Sequence, residues 1–359
     1  MKKNLFVRVD TSPEIGTGHI LRCVGLADEL RNTFDKIIFL SRKTTRSIIE
    51  IILKNGFEVS TIDTPIKKSL KNNSKLNNEL ETIGNLLIPY KENLNFLLID
   101  HYDISSNYES SLRKIFKKIF VIDDLANRQH DCDLLIDQNY YKDLTNRYMK
   151  LVSKNTITLL GPKYAILRSE FTNSKKINYK KNIFPNRILI SFGGSDPTNE
   201  CEKVLNAIFS LKNKQFVITA VTGIHNKNFK QLKKQFGGND NIKILNHTNN
   251  FNELLLNSDL CFGAGGTTTW ERLYLGLPSI VTIISSDQKE SIEFLSDMGH
   301  VINLGLAKDV TTETYAKTIK KIDPKILYNL SLKNKKLIDG KGCARIKKQI
   351  IKLINDKHE

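Results

Sequence analysis

Cysteine is scarce in this 359-residue chain: the five residues Cys23, Cys132, Cys201, Cys261 and Cys343 lie far apart and form no C-x-x-C pair. An odd number at such spacing argues against a disulfide framework or a zinc site and fits a reducing compartment. The seven histidines include no H-x-x-x-H pair, so neither a metal nor another cofactor is expected. Tryptophan occurs once, at Trp270, where packing is expected rather than stacking on a base. No apolar run approaches the ~20 residues of a membrane span, so no membrane partner is expected. The apolar stretch within residues 1–10 is too short for a signal peptide and reads as a strand, which makes the cytoplasm the expected compartment. Acids are outnumbered: 55 Lys and Arg against 38 Asp and Glu give a formal charge of +17. Lysine is nevertheless dispersed along the whole length, with no basic block interleaved with aromatics. The charge therefore describes a solvated surface that attracts small anions, and no nucleic-acid partner is expected.

What is present is an ordinary globular composition, 40% hydrophobic and 26% charged, with a length that predicts roughly two domains of about 150 residues. Short apolar strands alternate with helical patterns, the mark of βαβ units and parallel sheets. In the first half, strands are expected at 5–9, 37–40, 57–61, 96–99, 119–122, 134–136 and 156–159, with helices at 19–31, 44–54 and 76–88. Residues 67–78, rich in Lys, Asn and Ser, read as a mobile loop. After a polar segment the series restarts, with strands at 187–192, 216–221, 242–245, 260–262, 279–284 and 301–304. The expected fold is α/β: two Rossmann-like doubly wound domains facing across a cleft, residues 1–171 and 187–359, joined by a linker at 172–186. The last helix, 344–353, is counted with the second domain, although its pattern suits either.

Gly16-Thr17-Gly18-His19-Ile20-Leu21-Arg22-Cys23 stands between the first strand and the first helix, where ligands of open α/β sheets collect. Glycines let the backbone approach a bound group, the helix N-terminus offers N–H groups and positive potential, and a histidine supplies a base near neutral pH. A tight turn with a capping histidine has the same pattern, so the other strand ends must decide. One of them closes in Asp100, His101, Tyr102 and Asp103, a polar cluster suited to substrate contact. The next closes in Asp123 and Asp124, a pair expected to cap a turn.

In the second half, Ser191-Phe192-Gly193-Gly194-Ser195-Asp196 follows a strand and precedes a helix starting near Asn199. Gly193, Gly194 and Ser195 suit an anionic group, although a Gly-Gly turn with an acidic cap reads alike. Gly263-Ala264-Gly265-Gly266-Thr267-Thr268-Thr269-Trp270-Glu271-Arg272 is the stronger signal. The amides of Gly265 and Gly266 with the hydroxyls of Thr267 and Thr268 are suited to a diphosphate, and the Glu271 carboxylate to a ribose diol. No Gly-Lys-Ser/Thr follows and no G-x-G-x-x-G pattern is present, which weakens the ATPase and dehydrogenase readings. Ser285-Ser286-Asp287-Gln288 closes a further strand on the same edge.

Taken together and in order, Arg8-Val9-Asp10, Gly16-Thr17-Gly18-His19, Asp100-His101-Tyr102, Ile122-Asp123-Asp124, the run Gly161-Pro162-Lys163-Tyr164-Ala165-Ile166-Leu167-Arg168, Gly193-Gly194-Ser195-Asp196 and Gly263 through Arg272 resemble the UDP-2,4-diacetamido-2,4,6-trideoxy-β-L-altropyranose hydrolases of pseudaminic acid biosynthesis. The likeness covers nearly the whole chain. It implies a GT-B-like fold related to MurG-type glycosyltransferases, with the nucleotide on the second domain. It also implies a metal-independent hydrolase that releases UDP and a free 6-deoxy sugar with inversion, and His19 as its general base. Tyr102 and Asp287 match active-site positions, although the family often has Asn where Asp287 stands, so a donor is lost and a charge added near the diphosphate. The expected catalytic set is His19, Tyr102 and Asp287. The expected substrate-binding set is Asp10, Gly16, Gly18, Arg22, Asp100, His101, Gly193, Gly194, Ser195, Gly265, Gly266, Thr267, Thr268, Glu271 and Gln288. The expected partner is a UDP-sugar, and the alternative is a GT-B glycosyltransferase that passes the sugar to an acceptor hydroxyl.

Overall fold

The computed structural model describes residues 1–10, 17–42, 46–62, 73–211 and 216–356. The chain divides into two units: residues 1–139, 143–169 and 341–359 form the first, and residues 140–142 and 170–340 the second.

Unit 1 is built on seven strands: β1 Lys3–Val9, β2 Lys36–Arg42, β3 Glu58–Ile62, β4 Leu94–Asp100, β5 Lys118–Ile122, β6 Leu134–Asp137 and β7 Ile157–Leu160. All pair in parallel, in the order β3-β2-β1-β4-β5-β6-β7. Alternate residues of the central strands serve opposite faces. Leu5, Val7 and Val9 join Phe96 and Leu98 in one core, whereas Phe6 joins Leu97 and Ile99 in another. The first helix, α1 (Gly18–Leu30), adds Ile20, Cys23, Val24, Ala27 and Leu30 to the first of these cores, a stripe at helical spacing. Strand order reverses between β1 and β4, which run side by side with Val9 opposite Asp100. Ligand sites of such sheets lie at this reversal.

Unit 2 repeats the plan with six strands: β8 Arg187–Ser191, β9 Val217–Val221, β10 Ile242–Leu245, β11 Leu260–Ala264, β12 Ser279–Ile283 and β13 Ile302–Leu306. Their order is β10-β9-β8-β11-β12-β13, again parallel. Ile188, Ile190, Leu260 and Phe262 pack with Val204, Leu205 and Ile208 of the helix Glu200–Phe209. Here the reversal falls between β8 and β11, where Ser191 lies opposite Gly263.

Every expected strand is present, and three expectations change. Residues 73–87 form a helix, so the expected loop at 67–78 is helical from Asn73 onward, while 67–72 lie outside the described residues. Ile83 and Leu87, one turn apart, are buried against the core containing Phe6, and this holds the helix on the sheet. The expected linker at 172–186 is part of unit 2. The Ile177 amide donates to the Leu275 carbonyl at 2.9 Å, and Lys176 Nζ donates to the carbonyls of Lys335 and Ile338. Finally, residues 341–359 belong to unit 1 and not to the second domain. In the helix Gly342–Asn355, Cys343, Ile346 and Ile350 complete the core that contains Ile20 and Leu26. Gly342 permits that approach, since a Cβ there would collide with the Ala165 carbonyl oxygen.

Candidate active site

In unit 1 the first turn of α1 stands over the ends of β1 and β4. His19 is 7% exposed, and its Nδ1 lies 2.6 Å from Asp100 Oδ1. An ionised carboxylate only accepts, so Nδ1 carries a proton, which in the neutral ring leaves the lone pair on Nε2. Burial opposes the charge on Asp100, but Arg22 and His19 outweigh it and hold the carboxyl below the usual carboxylate range. Arg22 donates from Nε to Asp100 Oδ2 and from Nη2 to Asp100 Oδ1, each at 2.6 Å, and from Nη1 to Asp124 Oδ2 at 2.8 Å. The Tyr102 ring meets the His19 imidazole edge-on, centroids 4.7 Å apart. The arrangement orients the imidazole with Nδ1 on Asp100 and its edge against Tyr102.

Behind it lies a second, fully buried network. Arg8 grips both oxygens of Asp10, at 2.6 and 2.9 Å, and donates from Nε to Glu79 at 2.9 Å. The Arg42 amide donates to Asp10 Oδ1 and its Nε to Glu79 Oε2, while the Tyr108 hydroxyl donates to Glu79 Oε1. His101 Nδ1 accepts from the Asp103 amide, so its proton sits on Nε2, which donates to Asp10 Oδ2 at 3.0 Å. Burial, with Arg8 and Arg42 nearby, lowers the His101 pKa despite Asp10 and favours the neutral ring.

Four residues expected to touch substrate have their polar groups in contacts within the protein. Both oxygens of Asp10 and of Asp100 are already engaged, both ring nitrogens of His101 are used, and Arg22 is clamped between two acids. Of these, Asp100 and Arg22 lie against the His19 imidazole. Gly18 opens α1, and Gly16 lies outside the described residues. Glu79 and Arg42 belong to these networks and were not singled out by the sequence, while Asp124, expected to cap a turn, pairs with Arg22. The signal was present at Arg8 and Asp10, two opposite charges on one face of an otherwise apolar central strand, where burial demands partners.

In unit 2 the turns after β8 and β11 lie at the reversal. Gly193 has φ +88° and open space where a Cβ would stand, and the Gly194 carbonyl accepts from the His225 amide. Ser195 is half-buried beside Asp196, which caps the following helix by accepting from the amides of Glu200 and Cys201. After β11, the helix Thr268–Leu275 begins with Thr267 at its N-cap, whose side chain makes no capping bond. The amides of Thr269 and Trp270 donate to the carbonyls of Gly266 and Thr267, and the positive end of the helix dipole faces the loop. Gly265 departs from expectation: its amide donates to Gln288 Oε1 at 3.1 Å, and a Cβ on it would strike Ile292. That amide is committed to the fold, which leaves Gly266, Thr267 and Thr268 to face an anion. Gln288 also accepts from the Ile284 amide and so ties the ends of β11 and β12 together. Asp287 is half-exposed in the short turn Ser286–Gln288 and accepts from the Ser285 hydroxyl. Glu271 is 7% exposed in the first turn of the Thr268 helix, and Trp270 packs at 3% exposure. Among the described residues no group of three or more His, Cys, Asp or Glu side chains is arranged to hold a metal, and no helix is long and apolar enough to cross a membrane.

Two parallel, doubly wound sheets, each with a polar cluster at its strand-order reversal, define the GT-B fold class. Solved structures agree: MurG of Acinetobacter baumannii aligns with a TM-score of 0.65 over 98% of this chain and 100% of its own, at 13% identity. Residues 188–350 match the glycosyltransferase family 28 C-terminal domain. An uncharacterised protein of Methanocaldococcus jannaschii is 33% identical over 288 residues, 78% of this chain; the chain spans 56% of that relative's length. The UDP-2,4-diacetamido-2,4,6-trideoxy-beta-L-altropyranose hydrolase of Campylobacter jejuni is 26% identical over 297 residues, 82% of this chain and 97% of its own. Strand topology and solved structures together show the GT-B fold.

Proposed function

We propose that the chain hydrolyses a UDP-linked 2,4-diacetamido-2,4,6-trideoxy sugar at its anomeric C1–O bond, releasing UDP and the free sugar with inversion. The observation that carries this reading is the His19–Asp100 contact of 2.6 Å, which leaves His19 Nε2 as a base. Water gives a proton to Nε2 as its oxygen bonds to C1, and the electron pair of the breaking C1–O bond leaves on the β-phosphate oxygen of UDP. General-base help is worth about 100- to 10,000-fold. The rest falls to stabilisation of the leaving diphosphate by the amides of Gly266, Thr267 and Thr268, with hydroxyl help from the two threonines. Glu271 takes the ribose diol, Tyr102 lines the sugar beside His19, and Gly193, Gly194 and Ser195 border the phosphates. The Campylobacter relative carries this activity in its name, which supports hydrolysis. The family 28 domain match favours the second reading, transfer of the sugar to an acceptor hydroxyl.

Incubating the protein with the UDP-sugar in oxygen-18 water, without acceptor, separates the two. Hydrolysis puts the label in the sugar and none in UDP, and His19→Ala abolishes release while UDP still binds. Absence of UDP release until an acceptor is added would overturn hydrolysis in favour of transfer.

A further inference from the structure

Arg8, Arg42 and Arg272 are among the largest side chains that are fully buried. Arg8 and Arg42 lie against carboxylates: Arg8 against Asp10 and Glu79, Arg42 against Glu79 at 3.1 Å and Asp10 at 3.4 Å. Arg272 is different. It is 1% exposed, and among the described residues no carboxylate pairs with it. Its partners are neutral: Nη2 donates to the Ala264 carbonyl at 2.7 Å and to Thr269 Oγ1 at 3.0 Å, and Nη1 lies 3.9 Å from Cys261 Sγ. The Nε–H has no acceptor.

A guanidinium stays charged at any pH at which proteins fold, so unit 2 encloses a full positive charge that its own atoms do not neutralise. Its position is specific. A Cβ on Gly263 would collide with Arg272 Nη1 and stand 2.8 Å from the Ser191 carbonyl, so the guanidinium lies directly under the adjoining ends of β8 and β11. Gly263 is the residue that makes room for it. Ala264, whose carbonyl it holds, leads into the Gly265–Thr268 loop, and Thr269, its other partner, belongs to the first turn of the helix that follows.

We propose that Arg272 is the buried counter-charge for the nucleotide diphosphate, acting through the low-dielectric floor of the loop without touching the ligand. This rests on the assignment of UDP to the loop made above. The free protein carries the cost of an unneutralised charge, and an anion over Gly266–Thr268 relieves it. Affinity for the phosphates, and not for the nucleoside, is then the quantity that Arg272 controls.

Calorimetric titration of wild type, Arg272→Met and Arg272→Lys with UDP, and with uridine by competition, tests this. Loss of the charge is expected to weaken UDP about 10- to 100-fold and to leave uridine within about threefold, while Arg272→Lys retains most of the UDP affinity. If Arg272→Met does not fold, Arg272→Gln, which keeps a donor for the Ala264 carbonyl, replaces it. Equal losses for UDP and uridine, or an Arg272→Lys protein as weak as the methionine variant, would show a purely structural arginine and overturn the proposal. Unchanged UDP affinity in the neutral variant overturns it as well. A wild type that binds no UDP overturns the nucleotide assignment itself, and Arg272's role with it.

Discussion

The two strand-order reversals of this molecule share a topology and have opposite electrostatics. At the end of β1 and β4, Arg8 and Arg42 meet Asp10 and Glu79, and Arg22 meets Asp100 and Asp124, so every arginine there faces carboxylates of the protein itself. At the end of β8 and β11, one buried arginine meets only carbonyl, hydroxyl and thiol, beside the open N-terminus of a helix. The difference teaches that a sheet reversal supplies a location and the local charge balance decides its use. A cluster whose arginines all face carboxylates can hold one imidazole in place, whereas a buried arginine without a carboxylate is suited to completion by an anion.

The largest expected effect is at the base. His19→Ala should slow UDP release by about 100- to 10,000-fold with UDP affinity unchanged in calorimetry; a parallel loss of affinity would erase the division of labour between the two reversals. Next comes the arginine–carboxylate cluster itself. Asp100→Asn leaves Arg22 with Asp124 alone and should cost about 3–5 kcal/mol of stability in urea unfolding. A loss below about 1 kcal/mol would mean that Asp100 is not the main partner of Arg22. A smaller, pH-dependent effect has a definite sign. Burial opposes ionisation of Asp10 and Asp100, yet Arg8 and His101 around the first, and Arg22 and His19 around the second, hold both carboxyls low. Their stabilisation is complete above the unfolded carboxylate value of about 3.9 and disappears as pH falls through the lower folded values. Urea midpoints should therefore be insensitive to these two groups from neutrality down to about pH 4 and fall steeply below it, less steeply in Asp100→Asn. The smallest effect is expected at Gln288→Ala, which frees the Gly265 amide from its acceptor. UDP affinity should drop about fivefold, in line with about 1 kcal/mol for one hydrogen bond, and a tighter complex would show that the amide prefers the phosphate.

The fold was legible because its elements are local. Continuous apolar runs such as Phe96–Ile99 and Leu260–Phe262 mark buried parallel strands, and glycine or polar residues mark their ends. The same logic found His19, Tyr102 and the Gly263–Arg272 run, since each lies at a strand end. What stayed hidden depends on strand order. Asp124 reaches Arg22 only because β5 lies beside β4, and Arg42 reaches Asp10 only because β2 lies beside β1. Glu79 sits on a helix whose register the Lys- and Asn-rich composition of its first turn disguised. Arg272 was visible as the end of a motif, but its isolation from every acid depends on which residues the sheet gathers around it.

The return of residues 341–359 to unit 1 sets an order of assembly. Synthesis runs from the N-terminus, so the whole of 170–340 has been made before Cys343, Ile346 and Ile350 exist to close the core around Ile20. The unit that begins the chain is thus the last to be finished. A nascent chain holds every strand of the second sheet, with the Gly265–Thr268 loop, while the half that carries His19 still lacks its final helix.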